Sequence, residues 1–516
     1  MPYQHQTGST VGAVTLRALR RFPGRTAFTW GSGTVEERLT YDQVLDVIGR
    51  TQAVLAEAGL TRGDRIAILS GNKVDAWCTS TAASASGIVV TNLHPLGSLA
   101  DQAYQVQDAG ATALFVDPGK YEQRGREIAD ATGLSTVFSF GPSGEGADLR
   151  KACDRIGASR AIDVADPAEL TIINYTGGTT GRPKGVERRH EAVLSGTRSV
   201  LTDFEFPDVP RYLAAAPITH VAGTKILPTL HKGGTVHLLD GFSTTTVLTA
   251  IAEQRINLAL LVPTMIYALL DDPALDSADL SSLEVMLYGA SAMSPSRLRE
   301  GHERLGSIFA QLYGQTECYP ISYLSRADHA RGLAEDPGLL TSCGYPVVGT
   351  AVTLLGADGE PVPTGDSGEI CVRSQGTMDR YHDLPDLTEE TLAGGWVHTG
   401  DIGRFDESGY LSIVDRKKDM IVSGGFNVFP REVEDALTSH PEVSTAAVYG
   451  VPDEKWGEAV HAAVVLKDGA TVEAEMLIDR VKELKGSVQA PKQVRVLTEL
   501  PTTAVGKVDK KALREE

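Results

Sequence analysis

Residues 175–185 read YTGGTTGRPKG, and the five residues before them, LTIIN at 170–174, form a short β-branched apolar run. The run predicts a buried strand, so the loop hangs from a strand end. Gly177, Gly178, Gly181 and Gly185 free the backbone to turn and to approach a ligand closely. Thr176, Thr179 and Thr180 add hydroxyls, and Lys184 adds a point charge behind Pro183. Such a loop suits phosphates. It is not a Walker A loop, which ends in Gly-Lys-Ser/Thr, because Pro183 precedes Lys184 and Gly185 follows it. The plain alternative is a Gly-rich surface loop, and the rest of the chain decides between the two.

On the N-terminal side, Val44, Ile48, Val54 and Leu55 recur near helical spacing within 40–59, and RIAIL at 65–69 follows as a strand. Residues 101–110 and then ATALFVD at 111–117 repeat the helix-then-strand order. This alternation predicts a layered α/β domain with a largely parallel sheet. On the C-terminal side, LAAAPITHVAG (213–223), GTVHLLDGF (234–242), LALLVPT (258–264), VMLYGASAM (285–293) and IFAQLYGQTE (308–317) each read as a strand or strand end with a turn. Ligands of open α/β sheets bind outside the carboxyl ends of the strands, so these segments are expected to converge on one cleft. From about residue 344 the texture changes to short strands with Gly/Pro/Asp turns, which predicts a small β-rich subdomain. A compact α+β tail follows, with helices at 430–439 and 473–485 and strands near 446–449 and 462–466. The expected division is an N-terminal domain of residues 1–415 and a C-terminal domain of residues 416–516.

At 516 residues the chain exceeds one ordinary domain, and its 22% charged and 42% hydrophobic content is that of a globular protein. The net charge of −19 argues against non-specific nucleic-acid binding. The last segment, Arg416 to Glu516, holds 15 basic and 17 acidic residues, which leaves −17 on the first 415. Anionic substrates must therefore be held by local groups. Five cysteines, Cys78, Cys153, Cys318, Cys343 and Cys371, show no CxxC and no paired spacing, so neither zinc site nor disulfide framework is expected. The first ten residues lack a basic region followed by an apolar core, and the apolar run at 258–270 is interrupted by Pro263 and too short to span a bilayer. No membrane span and a cytoplasmic location are expected.

Taken in order, YTGGTTGRPKG, YGQTE, HTGD, DRKKDMIVSGGFNVFPREVE and PTTAVGKVDKKAL resemble the adenylate-forming superfamily of acyl- and aryl-CoA ligases, peptide-synthetase adenylation domains and luciferases. The resemblance covers essentially the whole chain and is strongest to bacterial fatty-acyl and aryl-CoA ligases. It implies a large α/β N-terminal domain and a small C-terminal domain that rotates between two half-reactions. The first makes an acyl-AMP and pyrophosphate from ATP and a carboxylate; the second passes the acyl group to a thiol.

The resemblance also implies roles for individual residues. Thr176, Gly177, Gly178, Thr179, Thr180 and Lys184 would enclose the β- and γ-phosphates. Gly289, Ala290 and Ser291 would border adenine, with Tyr313 stacked on it and Gly314 and Gln315 beside it. Thr316 would touch the α-phosphate, and Glu317 would hold Mg²⁺. Asp401 would accept from the ribose hydroxyls, and Arg416 would contact ribose or phosphates. Lys507 matches the lysine that stabilises charge during adenylation, its alternative being one more solvated lysine in a basic run. Lys418 matches the hinge, its alternative being a surface lysine. Ser423, Gly424 and Gly425 match the pantetheine tunnel of CoA. His220 matches a position bordering the acyl site, where positioning is expected and not acid/base work; Gly223 would leave room for a flat or long acyl group, with Thr224 on the same face. Lys225 reads first as solvent-facing and, more sharply, as a group that holds a polar or anionic substituent.

Two positions depart from the family pattern. Gly177 replaces a frequent serine, and Gln489 stands where many CoA ligases carry the first lysine of Tyr-Lys-x-Pro-Lys. Three functional classes follow: an ATP-dependent acyl- or aryl-CoA ligase; an adenylating enzyme with another acceptor; and a non-enzymatic nucleotide- or acyl-binding paralogue. The second class includes a separate carrier-protein thiol, an amine, luciferase-type oxidation, or nitrite activated for reaction with an aryl amine. Glu317, Asp401, Arg416 and Lys507 together weigh against the third.

Overall fold

A computed structural model describes residues 9–32, 35–144, 146–176, 182–417, 419–423, 426–453, 456–467, 469–502 and 508–515. The candidate residues Gly177, Gly178, Thr179, Thr180, Lys418, Gly424, Gly425 and Lys507 lie outside them.

The segments read as strand ends form the parallel half of one long sheet. In spatial order Phe309–Tyr313, Val285–Tyr288, Leu258–Leu261, Arg211–Ala214, Thr235–Leu238 and Thr26–Ser32 lie side by side, all parallel. Each of the four strands from Arg211–Ala214 to Phe309–Tyr313 is a short apolar run buried almost throughout, as expected when both faces of a parallel sheet are covered. Pro263 divides the apolar run into the strand Leu258–Leu261 and the helix Pro263–Asp271, which it opens and where its missing N–H costs nothing. No helix among the described residues is long and apolar enough to cross a membrane.

The β-rich stretch after residue 344 joins the same sheet. Ser322–Leu324 and Ser342–Pro346 reverse the strand direction, and Leu411–Arg416, Val397–Phe405, Ser367–Ser374 and Thr350–Leu355 continue the ladder antiparallel. It keeps a core of its own around Ile370, Val372, Val397 and Leu411. A second sheet carries Leu170–Thr176 between Lys184–Arg189 and Val89–Leu93, so the Gly/Thr loop is the connection of a hairpin, Thr176 facing Lys184. The helix expected at 40–59 is Tyr41–Glu57, started by a capping box between Thr40 and Gln43.

The strand Leu411–Arg416 is the last of the long sheet, and from Ile421 the chain builds a separate five-stranded sheet with its own apolar cluster. The tail strands are longer than the sequence indicates, Val443–Asp453 and Gly457–Leu466. Gly450 and Pro452 both lie within the first of these strands, and Pro452 sits near the hairpin end, where a missing ladder donor is tolerated.

Lys225 corrects its solvent-facing reading. It is 0% exposed, with Nζ hydrogen-bonded to Thr224 Oγ1 at 2.7 Å and to the Tyr319 hydroxyl, and it lies 4.9 Å and 5.3 Å from the Tyr319 and Phe204 ring centroids. Among the described residues no carboxylate pairs with it, and burial holds its pKa well below 10.5. The unfolded chain keeps this proton up to the ordinary lysine pKa, so folding releases it and rising pH favours the fold between the two values. Relative to Lys225→Met, the wild type is therefore expected to gain stability with pH, by up to about 1.4 kcal/mol per pH unit while the difference in protonation persists. Urea unfolding of both proteins at pH 7, 8 and 9 checks this; a stability difference constant with pH contradicts it.

Candidate active site

The turns that follow two neighbouring parallel strands make the floor of the site. Gly289, Ala290 and Ser291 leave Val285–Tyr288, and Gly314 to Glu317 leave Phe309–Tyr313. A Cβ on Gly289 would lie 2.7 Å from both the Leu312 side chain and its carbonyl oxygen, so glycine lets the first turn close on the adjacent strand. Ala290 then takes φ +68°, a left-handed conformation costing about 1–2 kcal/mol for a residue with a Cβ. Strain of this kind collects at functional strand ends.

Beside this floor stands Asp401, 3% exposed. The Tyr313 hydroxyl and the Gln315 amide each donate to its Oδ2 at 2.7 Å, and Arg416 Nε lies 3.2 Å from Oδ1. Gln315 also donates to the Thr399 carbonyl at 3.0 Å. Asp401 and Arg416 are paired across the Val397–Phe405 and Leu411–Arg416 strands, which sets the ion pair by register. Burial first, and then the Asp401 charge, push the Tyr313 phenol well above its ordinary pKa, so it stays a donor. Four of the candidate residues, Tyr313, Gln315, Asp401 and Arg416, thus form one cluster. A fixed carboxylate here is an acceptor for a diol.

Glu317 ends the second turn. Its Oε1 accepts from the Tyr381 hydroxyl at 2.6 Å, and its carbonyl accepts from Met378 N at 2.7 Å. Lys184 Nζ lies 5.5 Å from the centroid of the same Tyr381 ring. Thr176, Lys184 and Glu317 are therefore neighbours through Tyr381, a residue sequence reasoning missed. Thr316, half-buried, lies between Gln315 and Glu317. A carboxylate with one oxygen held by a phenol hydroxyl suits Mg²⁺, which takes one or two carboxylates and completes its shell with phosphate oxygens and water.

Nearby, His398 Nδ1 lies 3.4 Å from both Cys371 Sγ and Glu369 Oε2, but Glu369 is paired with Lys417 at 3.1 Å and accepts from Gly400 N. With a lysine already supplying the positive charge, this trio is a hydrogen-bond clamp on the HTGD segment.

On the opposite side His220 is exposed, 2.8 Å from Thr219 Oγ1, with its ring edge-on to His94 at 4.7 Å. Leu96 N donates to His94 Nδ1, so the neutral His94 ring carries its proton on Nε2; burial lowers its pKa. The reading of Gly223 as space for an acyl group is corrected: a Cβ there would lie 2.0 Å from the Ile218 carbonyl, so the glycine admits backbone. Residues 223–225 form one 3₁₀ turn; Thr224 and Lys225 meet at Tyr319, apart from the His94–His220 pair.

In the tail, Ser423 is buried and paired with Phe426 and Gly457, and Lys492 Nζ lies 5.0 Å from the Trp456 ring. Gln489 donates to Glu432 at 3.3 Å. Arg431 donates to the Met293 carbonyl at 3.0 Å and Ser296 to the Thr438 carbonyl at 3.1 Å, so the tail docks beside the 289–291 turn.

The AMP-binding enzyme family model matches residues 16–382, and the AMP-binding enzyme C-terminal domain matches 432–507. The chain is 42% identical to the medium/long-chain-fatty-acid–CoA ligase FadD8 of Mycobacterium tuberculosis, covering 98% of this chain and 89% of that protein. It is 37% identical to a feruloyl-CoA synthase of an Amycolatopsis species, covering 98% of each. Among solved structures, the amide bond synthetase McbA of Marinactinospora thermotolerans superposes with a TM-score of 0.89 at 34% identity, covering 97% of this chain and 99% of that one. With two matched domains, near full-length relatives and strand-end clusters of the geometry described, the chain belongs to the AMP-binding enzyme family of adenylate-forming ligases.

Proposed function

We propose that the protein joins a fatty, aryl or cinnamic acid to ATP, forming acyl-AMP and pyrophosphate, and then passes the acyl group to the thiol of CoA. The observation that carries this is the buried Asp401, held by Tyr313 and Gln315, with Glu317 two residues further along the same turn at the carboxyl end of one parallel strand. A carboxylate is a poor electrophile until one oxygen becomes part of a good leaving group. In the first step the acid's oxygen bonds to the α-phosphorus and the bond to pyrophosphate breaks; in the second the sulfur bonds to the acyl carbon and AMP leaves. Asp401 orients the ribose, Arg416 balances its charge, and Thr176 with Lys184 holds the outer phosphates. Glu317 would hold Mg²⁺, which would neutralise phosphate charge when bound. His220 borders the acid, and the relatives' substrates support the fatty or aryl class.

The domain boundary and the hinge at Lys418 belong to the same proposal, with the boundary expected at 415/416 moved past Arg416, whose strand belongs to the long sheet. The ladder of the long sheet ends at Arg416, and the separate tail sheet starts at Ile421. Transfer to an amine is a second reading, favoured by Gln489 in place of a lysine and by the likeness to an amide bond synthetase.

Pyrophosphate release with ATP and Mg²⁺ across medium-chain, long-chain, cinnamic and benzoic acids, each with and without CoA, tests the function. Turnover that needs CoA and yields a thioester is expected; release sustained by an amine and not by CoA selects the second reading. Lys507→Ala is expected to lower adenylate formation by about 10²–10³-fold while leaving thioester formation from supplied acyl-AMP within a few-fold; unchanged adenylation contradicts the assignment. Lys418→Pro, which fixes φ, is expected to spare one half-reaction and not the other. Equal loss of both half-reactions, measured separately, contradicts the hinge.

A further inference from the structure

Tyr381 occupies a position that neither the motif pattern nor the proposed steps assign. It lies on the two-residue strand Arg380–Tyr381, paired antiparallel with Lys184–Arg189, the strand by which the chain leaves the Gly/Thr loop. Arg380 Nε and His382 Nδ1, on either side of it, lie 2.7 Å and 2.6 Å from the two oxygens of Glu187, itself 1% exposed. Asp379 N donates to the Glu187 carbonyl at 2.8 Å and His382 N to the Gly185 carbonyl at 2.7 Å. Side chains alternate along a strand, so with Arg380 and His382 committed to the Glu187 face, Tyr381 must project to the other face. That is the face of Val186, its register partner, and of Lys184, and it is where the Tyr381 hydroxyl reaches Glu317 Oε1 at 2.6 Å. The segment is also fixed from the other end, by Met378 N on the Glu317 carbonyl and by the Cys318–Thr377 bridge. Tyr381 is 5% exposed, and its hydroxyl donates to the Glu317 carboxylate.

We infer that Tyr381 is a positioning residue for the divalent cation: its hydroxyl fixes one oxygen of Glu317 so that the other faces the nucleotide phosphates, and its strand ties that carboxylate to the exit of the phosphate loop. This rests on the adenylation reading and adds to it the residue that sets metal affinity. Carboxylates that hold metals work best when an outer hydrogen bond fixes their rotamer, and losing such a bond costs about 10–100-fold in affinity. Glu317 belongs to a turn after the parallel strands and Lys184 to a different sheet, and the segment 377–382 joins them by backbone pairing at both of its ends. Within that segment the Tyr381 side chain is the group that reaches the Glu317 carboxylate itself.

The test is Tyr381→Phe, which removes one oxygen and keeps the packed ring. Mn²⁺ binding in the presence of a non-hydrolysable ATP analogue, followed by electron paramagnetic resonance, is expected to weaken about tenfold, while nucleotide binding in EDTA and the melting temperature without ligand stay at the wild-type values. The Mg²⁺ concentration for half-maximal pyrophosphate release shifts in parallel. In a Glu317→Gln background the same substitution is expected to change Mn²⁺ binding less than twofold, because the oxygen it acts on no longer carries charge. Mn²⁺ affinity of Tyr381→Phe within twofold of wild type, or an equal loss in the Glu317→Gln background, overturns the inference and leaves adenylation standing. A wild-type protein with no ATP-dependent Mn²⁺ site overturns the metal role of Glu317 and the inference together. A wild type that binds Mn²⁺ with ATP yet forms no adenylate on any acid overturns the adenylation reading alone.

Discussion

A carboxylate buried as deeply as Asp401 needs donors that replace the water it has lost. Here the donors come from parts of the fold with different origins. Tyr313 ends a parallel strand, Gln315 belongs to the turn beyond it, and Arg416 closes the antiparallel extension. The cluster therefore exists only if the sheet changes direction between Phe309–Tyr313 and Leu411–Arg416 with its register intact. A slip of one residue between Val397–Phe405 and Leu411–Arg416 would send Arg416 to the opposite face and leave the carboxylate without its cation.

The acidic surface sharpens this constraint. With −17 on the first 415 residues, no long-range field draws a nucleotide triphosphate in. On the proposed reading Lys184 and Arg416 act at contact distance, and each is already oriented, one against an aromatic ring and one against a carboxylate. Such pre-orientation lowers the entropy lost on binding, which a steering field does not do.

The strand-to-turn transitions at Tyr288–Gly289 and Tyr313–Gly314 were legible in the sequence because each consists of a short apolar run followed at once by glycine, a local pattern that needs no tertiary information. The same holds for the helix at 41–57, whose cap and apolar spacing lie within its own residues. Contacts between distant segments were not legible. Tyr381 and Glu317 are 64 residues apart and Tyr313 and Asp401 are 88 apart, and only the family pattern drew attention to the second pair. Lys225 misled because a lysine in an apolar run is ordinarily placed with its head in water. What keeps its head inside is Tyr319, 94 residues away. Gly223 misled for a related reason: a glycine near a binding site invites a ligand explanation, whereas the Ile218 carbonyl already fills the space.

The strengths of the contacts around residues 415–431 bear on the rotation proposed for the tail. On the large-domain side, Arg416 is held by strand register and by a buried carboxylate, and Asp401 keeps two further donors. On the tail side, Arg431 N donates to Asp415 at 3.0 Å, and the docking bonds run to the Met293 and Thr438 carbonyls. Each of those is worth about 0.5–3 kcal/mol, and the exposed Lys417–Glu369 pair at most about 1 kcal/mol. The Asp401 cluster is therefore the more expensive set to dismantle, and the docking bonds are the ones a few kcal/mol of differential binding can exchange. On the proposed cycle the break falls after Arg416, so the ribose-holding carboxylate stays assembled in both half-reactions while the groups presented by the tail change.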